Sequence, residues 1–261
     1  MESVTLFVVG LAIVGVVVLD FLLTTISLRA QGPATRLVTA ISQWIVGFGG
    51  TRLGRYGGPI TLSSLAGFWI VGMWTGWSIA FHAARSGLAG PSARPDVGFW
   101  DAVGFAGATL STLGMGVVTP AEPWLHVLTV LTSVFGMLVL TLSVTYVLNV
   151  NGIAVASRSL ALGLRDVTHI LAAARTDREL AEDVAERASP MRAALHEIAD
   201  RRDAFPLAKL YEVEGSERDI AMRAEMMAEA VRPALDAAPH PRAAAEIALL
   251  MEALGRLTRS D

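Results

Sequence analysis

Long apolar runs separated by short polar segments dominate the first 150 residues of the chain. A helix needs about 20 apolar residues to cross the hydrocarbon core, and three runs are that long. The run 4–28 is interrupted only by Asp20, and the runs 60–84 and 124–150 contain no Asp, Glu, Lys or Arg. The pattern predicts three transmembrane helices. Glu2 in place of a basic start, and the length of the first run, favour a span there over a signal peptide.

Two further regions show apolar residues at helical spacing. Residues 37–48 have polar residues on the other faces, which predicts a short helix at the inner membrane interface. Residues 156–261 repeat the pattern several times, which predicts a bundle of about four helices. The predicted breaks in this bundle lie at Ser189-Pro190, Phe205-Pro206, Gly215 and Pro239-His240-Pro241.

The segment 98–118 is apolar enough to enter a membrane and too short to cross it. It runs into Gly114-Met115-Gly116 and then Pro120, a sequence that does not continue as one helix. Non-helical backbone occurs at membrane depth only where protein or a water-filled cavity solvates it. The sequence therefore predicts a re-entrant helix and loop here, and not a fourth lipid-facing span.

Composition separates a membrane half from a water-soluble half. Only 17% of all residues are charged, against about 25% in soluble proteins. Residues 1–156 hold all six tryptophans and 21 of the 24 glycines, but 11 of the 45 charged residues. The net charge of −3 and the lack of a basic run give no support for a nucleic-acid partner. The absence of cysteine excludes disulfides and thiolate catalysis.

The arginines predict the orientation in the membrane. Four of them lie between the first two runs (Arg29, Arg36, Arg52 and Arg55), whereas two lie between the second and third (Arg85 and Arg94). By the positive-inside rule, the 29–58 connection is cytoplasmic. The N-terminus and the segment 85–123 then lie outside, and the C-terminal half is cytoplasmic.

One stretch resembles a known signature. Residues 109–120 read Thr-Leu-Ser-Thr-Leu-Gly-Met-Gly-Val-Val-Thr-Pro, similar to the potassium-channel pore motif T-x-T-T-V-G-Y-G-D-x-x-P. That family places a glycine hinge about twenty residues after the last filter glycine, and Gly136 lies 20 residues after Gly116. The chain thus resembles bacterial two-helix pore-loop channels, with an extra N-terminal transmembrane helix.

The resemblance implies an all-α integral membrane fold with three transmembrane helices, a re-entrant pore helix and filter, and a C-terminal cytoplasmic helical bundle. The expected domains are 1–58, a pore domain 59–150 and a helical domain 151–261. Within the pore domain, the outer helix is 59–84, the pore helix and filter 98–118, and the inner helix 124–150.

The resemblance also implies the site and the partners. The filter is Thr112, Leu113, Gly114, Met115 and Gly116; backbone carbonyls of its first four residues bind permeant potassium, and the Thr112 hydroxyl closes the inner end. Gly136 is the expected gating hinge. The implied assembly is a homotetramer in the bacterial inner membrane, in contact with lipids. No organic cofactor, small-molecule ligand or nucleic acid is expected.

Two departures keep alternatives open. Met115 stands where the family has an aromatic residue, and Val117 where it has an acid. Cation conduction is therefore the stronger inference and potassium selectivity the weaker, although Asp101 and Glu122 add negative charge near the mouth. A non-selective cation channel and a non-conducting scaffold with a vestigial filter are the alternatives. An enzyme is disfavoured because the membrane half has no paired acids and no nucleophile with a base.

Three other features have structural interpretations. Asp20 is predicted to pair with an arginine or with nearby serine and threonine donors, since a charged group inside a span is costly alone. Gly72-x-x-x-Gly76 predicts close helix packing. Trp69, Trp74 and Trp77 are expected to serve as packing residues and interfacial anchors.

Overall fold

The computed structural model describes residues 2–26, 31–48, 56–90, 96–174, 176–211 and 219–258. The predictions that concern Arg29, Arg52, Arg55, Arg94 and Gly215 fall outside these residues. The chain divides into two compact units. One consists of Met1–Gly49 with Pro59–Val147, and the other of Gly50–Gly58 with Leu148–Asp261.

Three helices of the described residues are long and apolar enough to cross a membrane: α1 (Glu2–Ile26), α3 (Gly57–Ala83) and α5 (Pro123–Leu171). They confirm the prediction of an all-α membrane fold with three spans. Between the first two lies α2 (Pro33–Phe48), at the position where periodicity predicts a short helix.

The helix that contains the third span is longer than predicted. The inner helix expected over 124–150 continues without a break to Leu171. A single helical glycine, here Gly152, costs only about 1 kcal/mol relative to alanine, and Val150, Ile153 and Ala154 around it are buried. Burial of these neighbours offsets that cost, so the helix does not end where the sequence becomes more polar.

Helices α1 and α3 pack closely through small residues. A Cβ added to Gly10 would come within 2.7 Å of the Gly76 carbonyl oxygen and the Ala80 nitrogen, and one added to Gly72 within 2.9 Å of Val17. Only glycine permits this approach of two helix backbones. The packing role predicted for Gly72 and Gly76 is confirmed.

A short helix and two short strands complete the first unit. The helix α4 (Phe99–Leu110) has 12 residues and is about 18 Å long, too short for a hydrocarbon core of about 30 Å. The strands β1 (Leu88–Ala89) and β2 (Thr119–Pro120) pair antiparallel, with Leu88 opposite Pro120 and Ala89 opposite Thr119. A 3₁₀ turn, Arg85–Gly87, precedes β1.

The second unit is a helical bundle formed by the last part of α5 and by α6 (Asp177–Ala204), α7 (Ile220–Asp236) and α8 (Pro241–Thr258), with a 3₁₀ turn at Pro206–Tyr211. Its core contains fully buried apolar side chains from each helix: Leu164, Leu195, Ile220, Met227, Ile247 and Leu254. The bundle of about four helices is thereby confirmed, as are the breaks at Phe205-Pro206 and Pro239–Pro241.

The predicted break at Ser189-Pro190 is wrong, because α6 continues through Pro190. A proline inside a helix removes one backbone hydrogen bond and costs about 3 kcal/mol. Ala188 and Leu195, on either side of it, are fully buried in the bundle core. Packing of both halves of α6 on the same core keeps the helix continuous.

Candidate functional site

The short helix α4 is fixed against α3 along one side. The Trp74 indole Nε1 donates a hydrogen bond to the Val103 carbonyl at 2.9 Å. Gly107 lies against the same indole, where a Cβ would come within 3.0 Å of Nε1. The rings of Phe81 and Phe105 meet edge to face, with centroids 4.8 Å apart. These contacts hold the helix that leads into the predicted filter, and they give Trp74 a specific role that the sequence did not indicate.

The start of α4 carries its own cap. The Gly98 backbone N–H donates to Asp101 Oδ2 at 2.9 Å, which satisfies one donor at a helix end that has no intrahelical partner. A carboxylate in the first turn also interacts favourably with the helix dipole. Asp101, expected near the mouth, therefore contributes to the stability of α4.

The chain folds back on itself where α4 ends. The backbone N–H groups of Leu113 and Gly114 both reach the Ala108 carbonyl, at 2.8 and 3.3 Å, and that of Thr112 reaches the Thr109 carbonyl at 3.1 Å. These donors satisfy carbonyls of the last helical turn, which otherwise lack partners. The first filter residues are thus tied to α4 through their N–H groups.

Backbone handedness alternates along the filter. Thr112, Gly114 and Gly116 have φ values of +57°, +60° and +66°, whereas Leu113 and Met115 between them are not in that region. Left- and right-handed residues in alternation rotate successive peptide units in opposite senses, so that neighbouring carbonyls face the same side of the strand. Glycine adopts positive φ without steric cost. Threonine does not, and Thr112 stores strain of about 1–2 kcal/mol.

The carbonyls of the predicted filter accept no hydrogen bond from the residues that the structure describes. Among the described residues, no backbone or side-chain group donates a hydrogen bond to the carbonyl oxygens of residues 112–116. Residues 112–116 are exposed in the single chain, so their carbonyl oxygens are accessible from outside it. This row of oxygens is therefore available to a ligand that accepts electron pairs, such as a cation.

Two cavities flank the filter, and Met115 lines both. One, of about 640 Å³, lies beside α4 and is lined by Asp101, Phe105 and Thr112 among others. The other, of about 420 Å³, is mainly apolar and is lined by Met73, Leu113 and Val139 among others. Met115 itself is 56% exposed in the single chain. Its side chain is not packed into the core, in contrast to the role that the resemblance gives the family's aromatic residue.

Main-chain hydrogen bonds hold the segment that follows the filter. Besides the β1–β2 pairing, the N–H groups of Ala121 and Glu122 donate to the Gly87 carbonyl at 2.8 and 3.3 Å. A Cβ on Gly87 would come within 2.7 Å of Leu125 Cδ1. The outer end of the filter is thereby attached to the end of α3 through backbone groups.

The inner helix meets the end of α4 at Gly136. A Cβ at this position would overlap the Leu110 carbonyl, and one turn earlier the Ser133 hydroxyl donates to the Thr109 carbonyl at 3.2 Å. Glycine is therefore required here for close packing of α5 on the pore helix. The gating-hinge role of Gly136 stays a prediction.

Asp20 lies inside the first span and is 1% exposed. Its Oδ1 accepts from the backbone N–H groups of Ala34 and Thr35 at 2.8 and 3.1 Å. Its Oδ2 accepts from the Thr35 hydroxyl at 2.6 Å and from Trp69 Nε1 at 3.2 Å. Thr24 extends the cluster, because its hydroxyl contacts that of Thr35 at 2.9 Å. Asp20 thus has a structural role with a threonine donor, as predicted, and it caps α2 from a neighbouring helix.

The predicted filter residues form one continuous segment, whereas the residues that position it come from elsewhere in the chain. Sequence reasoning missed Gly87 and Ser133, and it treated Trp69 and Trp74 only as packing residues and anchors. The indole N–H groups of both tryptophans are directed at specific oxygens. A tryptophan within a span, away from its ends, was the available signal, since a buried indole N–H usually needs a partner.

Comparisons with known proteins find one family model and one curated protein that are similar to parts of this chain. Residues 64–151 match the model of a family described as "Ion channel". This match confirms the resemblance and supports an ion channel. The chain is also 26% identical over 167 residues to the uncharacterized membrane protein YdjJ of Bacillus subtilis (strain 168), over 61% of this chain and 48% of that protein. It thus spans about half the length of that curated relative. No solved structure matches.

Proposed function

From a segment that matches the ion channel family, we propose that four copies of this chain form a cation channel that conducts potassium. The carbonyls of Thr112, Leu113, Gly114 and Met115 replace the hydration shell of the ion, and the Thr112 hydroxyl closes the inner end. The resemblance supplies these roles. Four copies are needed because each chain contributes one strand of oxygens, and a ring of oxygens surrounds the ion.

The observation that carries the proposal is the filter backbone. Alternating positive φ at Thr112, Gly114 and Gly116 turns neighbouring carbonyls to one side, and these oxygens accept no hydrogen bond within the described part of the chain. A dehydrated cation can take the place of the hydrogen-bond donor that these oxygens lack in the described part of the chain. The C-terminal end of α4 immediately precedes this strand, and the negative end of its helix dipole also favours a cation.

Exposed apolar side chains support assembly around the filter. Leu113 is 69% exposed and Met115 56% exposed in the single chain. Apolar surface of this kind next to a functional segment is typical of an interface. In the proposed tetramer, neighbouring copies cover these side chains while the carbonyls face the central axis.

A non-selective cation channel is the second candidate, and the Met115 side chain favours it. Met115 is 56% exposed in the single chain. Selectivity by size requires a filter held at a fixed width, and a flexible methionine side chain holds it less firmly than an aromatic ring does. Val117 in turn lacks the carboxylate that, by the resemblance, joins a hydrogen-bond network behind the filter.

The proposed arrangement also has a direction and a gate. By the positive-inside rule, the arginines favour a cytoplasmic 29–58 connection, with the N-terminus and the segment 85–123 outside. The pore domain is 59–150, and movement of the inner helix near 144–149 opens it. The helical domain 151–261 braces the tetramer or biases that gate.

The test is ion flux through purified protein in liposomes, with potassium and sodium gradients measured in parallel. Gly114→Asp is the inactive control, because it adds a side chain and a charge at a residue with φ +60°. Gly67→Ala is the matched control, since a Cβ at Gly67 meets nothing within 4 Å. Oligomeric state is measured for all three proteins by light scattering in detergent.

Each outcome selects one function. Potassium flux well above sodium flux, lost only in Gly114→Asp, supports the selective channel. Comparable fluxes, again lost in that variant, identify the non-selective channel. A tetramer without flux for either ion, under conditions that also include removal of residues 151–261, identifies the scaffold. A monomer in detergent and in lipid contradicts all the channel proposals.

A further inference from the structure

Helix α2 has three distinct sides. Successive residues of an α-helix are rotated by about 100°, which places Thr35, Thr39 and Ser42 on one side, and all three are buried. The Thr39 and Ser42 hydroxyls donate to carbonyls of their own helix, and the Thr35 hydroxyl donates to Asp20. The side that packs on the protein is therefore the polar one.

A second side of α2 is apolar and exposed. Leu37 is 62%, Trp44 66% and Phe48 76% exposed, and Ile41 and Ile45 lie among them. The rings of Trp44 and Phe48 meet edge to face, with centroids 4.5 Å apart. Five large apolar residues thus project away from the protein along the whole helix, which is the reverse of the arrangement in a water-soluble helix.

The third side of α2 is polar and exposed. It carries Arg36 and Gln43, which lie between the packed side and the apolar side. A helix whose exposed surface combines a broad apolar side with a narrower polar side suits the boundary between acyl chains and water. Trp44 fits the same boundary, because tryptophan is enriched at the headgroup level.

The position of α2 along α1 agrees with such a boundary. Asp20, which binds the first turn of α2, is six residues before Ile26, the last described residue of α1. Six helical residues correspond to about 9 Å. The start of α2 is therefore held close to the end of the first span, where the hydrocarbon core gives way to headgroups.

The charge around α2 indicates which headgroups it meets. The sequence from 29 to 58 contains four arginines and no Asp or Glu. Basic segments at a membrane surface are attracted to anionic lipids by about 1 kcal/mol per residue. The positive charge around α2 and its exposed apolar side therefore both indicate an anionic lipid as its partner.

We propose that α2 is a lipid-binding surface, with its apolar side (Leu37, Ile41, Trp44, Ile45 and Phe48) among acyl chains and Arg36 at the phosphates of anionic phospholipids. Helix α1 also exposes apolar side chains near its end, where Leu19 and Ile26 are 63% and 65% exposed. Through Asp20, α2 is also connected to Trp69 of α3 by a hydrogen bond. The inference does not depend on conduction.

The absence of cysteine from the chain allows a direct test. Single cysteines are introduced at Ile45 on the apolar side and at Gln43 on the polar side, and each is spin-labelled. The protein is reconstituted in phosphatidylcholine vesicles with and without phosphatidylglycerol. Collision rates of each label with oxygen, which concentrates in the acyl region, and with a water-soluble nickel chelate are then measured.

The expected result is a ratio of oxygen to nickel collisions that is several-fold higher at position 45 than at position 43. Nickel collisions of equal rate at both positions would mean that the apolar side is in water, and would overturn the proposal. A label at 45 that neither reagent reaches would also overturn it, and would identify a protein partner or a second copy instead.

The headgroup contact has its own readout. Native mass spectrometry of protein extracted from the mixed vesicles counts retained phosphatidylglycerol. Arg36→Gln is expected to retain less of this lipid than Arg178→Gln, a matched variant at an exposed arginine of α6 that pairs with Glu182. Equal retention by the two variants would remove Arg36 from the proposed surface.

Discussion

Replacement of Asp20 by alanine tests whether the carboxyl group inside the first span holds α1, α2 and α3 together. The substitution removes four hydrogen bonds, two from backbone N–H groups of α2, one from the Thr35 hydroxyl and one from the Trp69 indole. The Thr35 hydroxyl keeps Thr24 as a partner at 2.9 Å, so the loss of its hydrogen bond to Asp20 costs little free energy. The backbone and indole donors have no such substitute.

The expected cost follows from those three donors. Loss of a helix cap costs about 1–2 kcal/mol, and a buried donor left unsatisfied costs about 1–3 kcal/mol. The sum, about 2–5 kcal/mol, is a large fraction of the stability of an ordinary domain. Asp20→Asn is expected to cost less, about 1–2 kcal/mol, because its Oδ1 still accepts from α2 while its amide N–H₂ opposes the Trp69 N–H.

A double-mutant cycle separates the indole bond from packing. Trp69→Phe loses this hydrogen bond and part of the contact with Phe21, whose ring centroid is 5.0 Å from that of Trp69. The packing loss occurs in both backgrounds and cancels. We therefore expect Trp69→Phe to cost about 1 kcal/mol less in Asp20→Asn than in the wild-type chain.

The assay is unfolding in mixed micelles with increasing dodecyl sulfate, followed by far-ultraviolet circular dichroism so that removal of a tryptophan does not change the signal. Glu2→Gln removes an exposed carboxylate from the same helix and serves as the control. A cost for Asp20→Ala within about 0.5 kcal/mol of the control, the range of ordinary surface substitutions, would refute the reasoning. Equal costs of Trp69→Phe in both backgrounds would refute the indole bond alone.

Four further substitutions concern glycines of the first and second units. Gly136→Ala places a methyl group on the Leu110 carbonyl, and we expect it to lower the yield of folded protein in size-exclusion chromatography. A Cβ at Gly152 meets nothing within 4 Å, so we expect Gly152→Ala to be neutral or to stabilise the fold by up to about 1 kcal/mol. Gly114→Ala, at φ +60°, is expected to reduce flux without loss of oligomer, because the left-handed conformation costs about 1–2 kcal/mol there. Gly87→Val is expected to loosen the segment after the filter and lower the ratio of potassium to sodium flux; an unchanged ratio would contradict a supporting role for the β1–β2 pairing.

The short helix α4 and the loop that follows it could be predicted because the signals for them are local. Gly-x-Gly followed by proline, after an apolar stretch too short to span, restricts the backbone at those residues whatever surrounds them. The conformation of Thr112 could not be predicted, since threonine disfavours positive φ. There the turn that ties Leu113 and Gly114 back to the Ala108 carbonyl determines the backbone.

The partners of Asp20 depend on how three helices are registered against each other. The sequence suggested donors within a few residues, such as Thr24, whereas the indole that binds Asp20 lies 49 positions away. Local rules also failed at Pro190, where burial of both flanks keeps the helix continuous. In each case tertiary packing supplies free energy that local sequence does not show.

The proposed tetramer has a genetic consequence. Each copy would contribute one row of carbonyls, so every conducting pore would require four intact rows. A cell that produces Gly114→Asp subunits alongside normal ones would place at least one defective row in most assemblies. Mutations in this short segment should therefore be dominant, whereas mutations that prevent folding, such as one that disrupts the cap at Asp20, should be recessive, because their products never enter a shared pore.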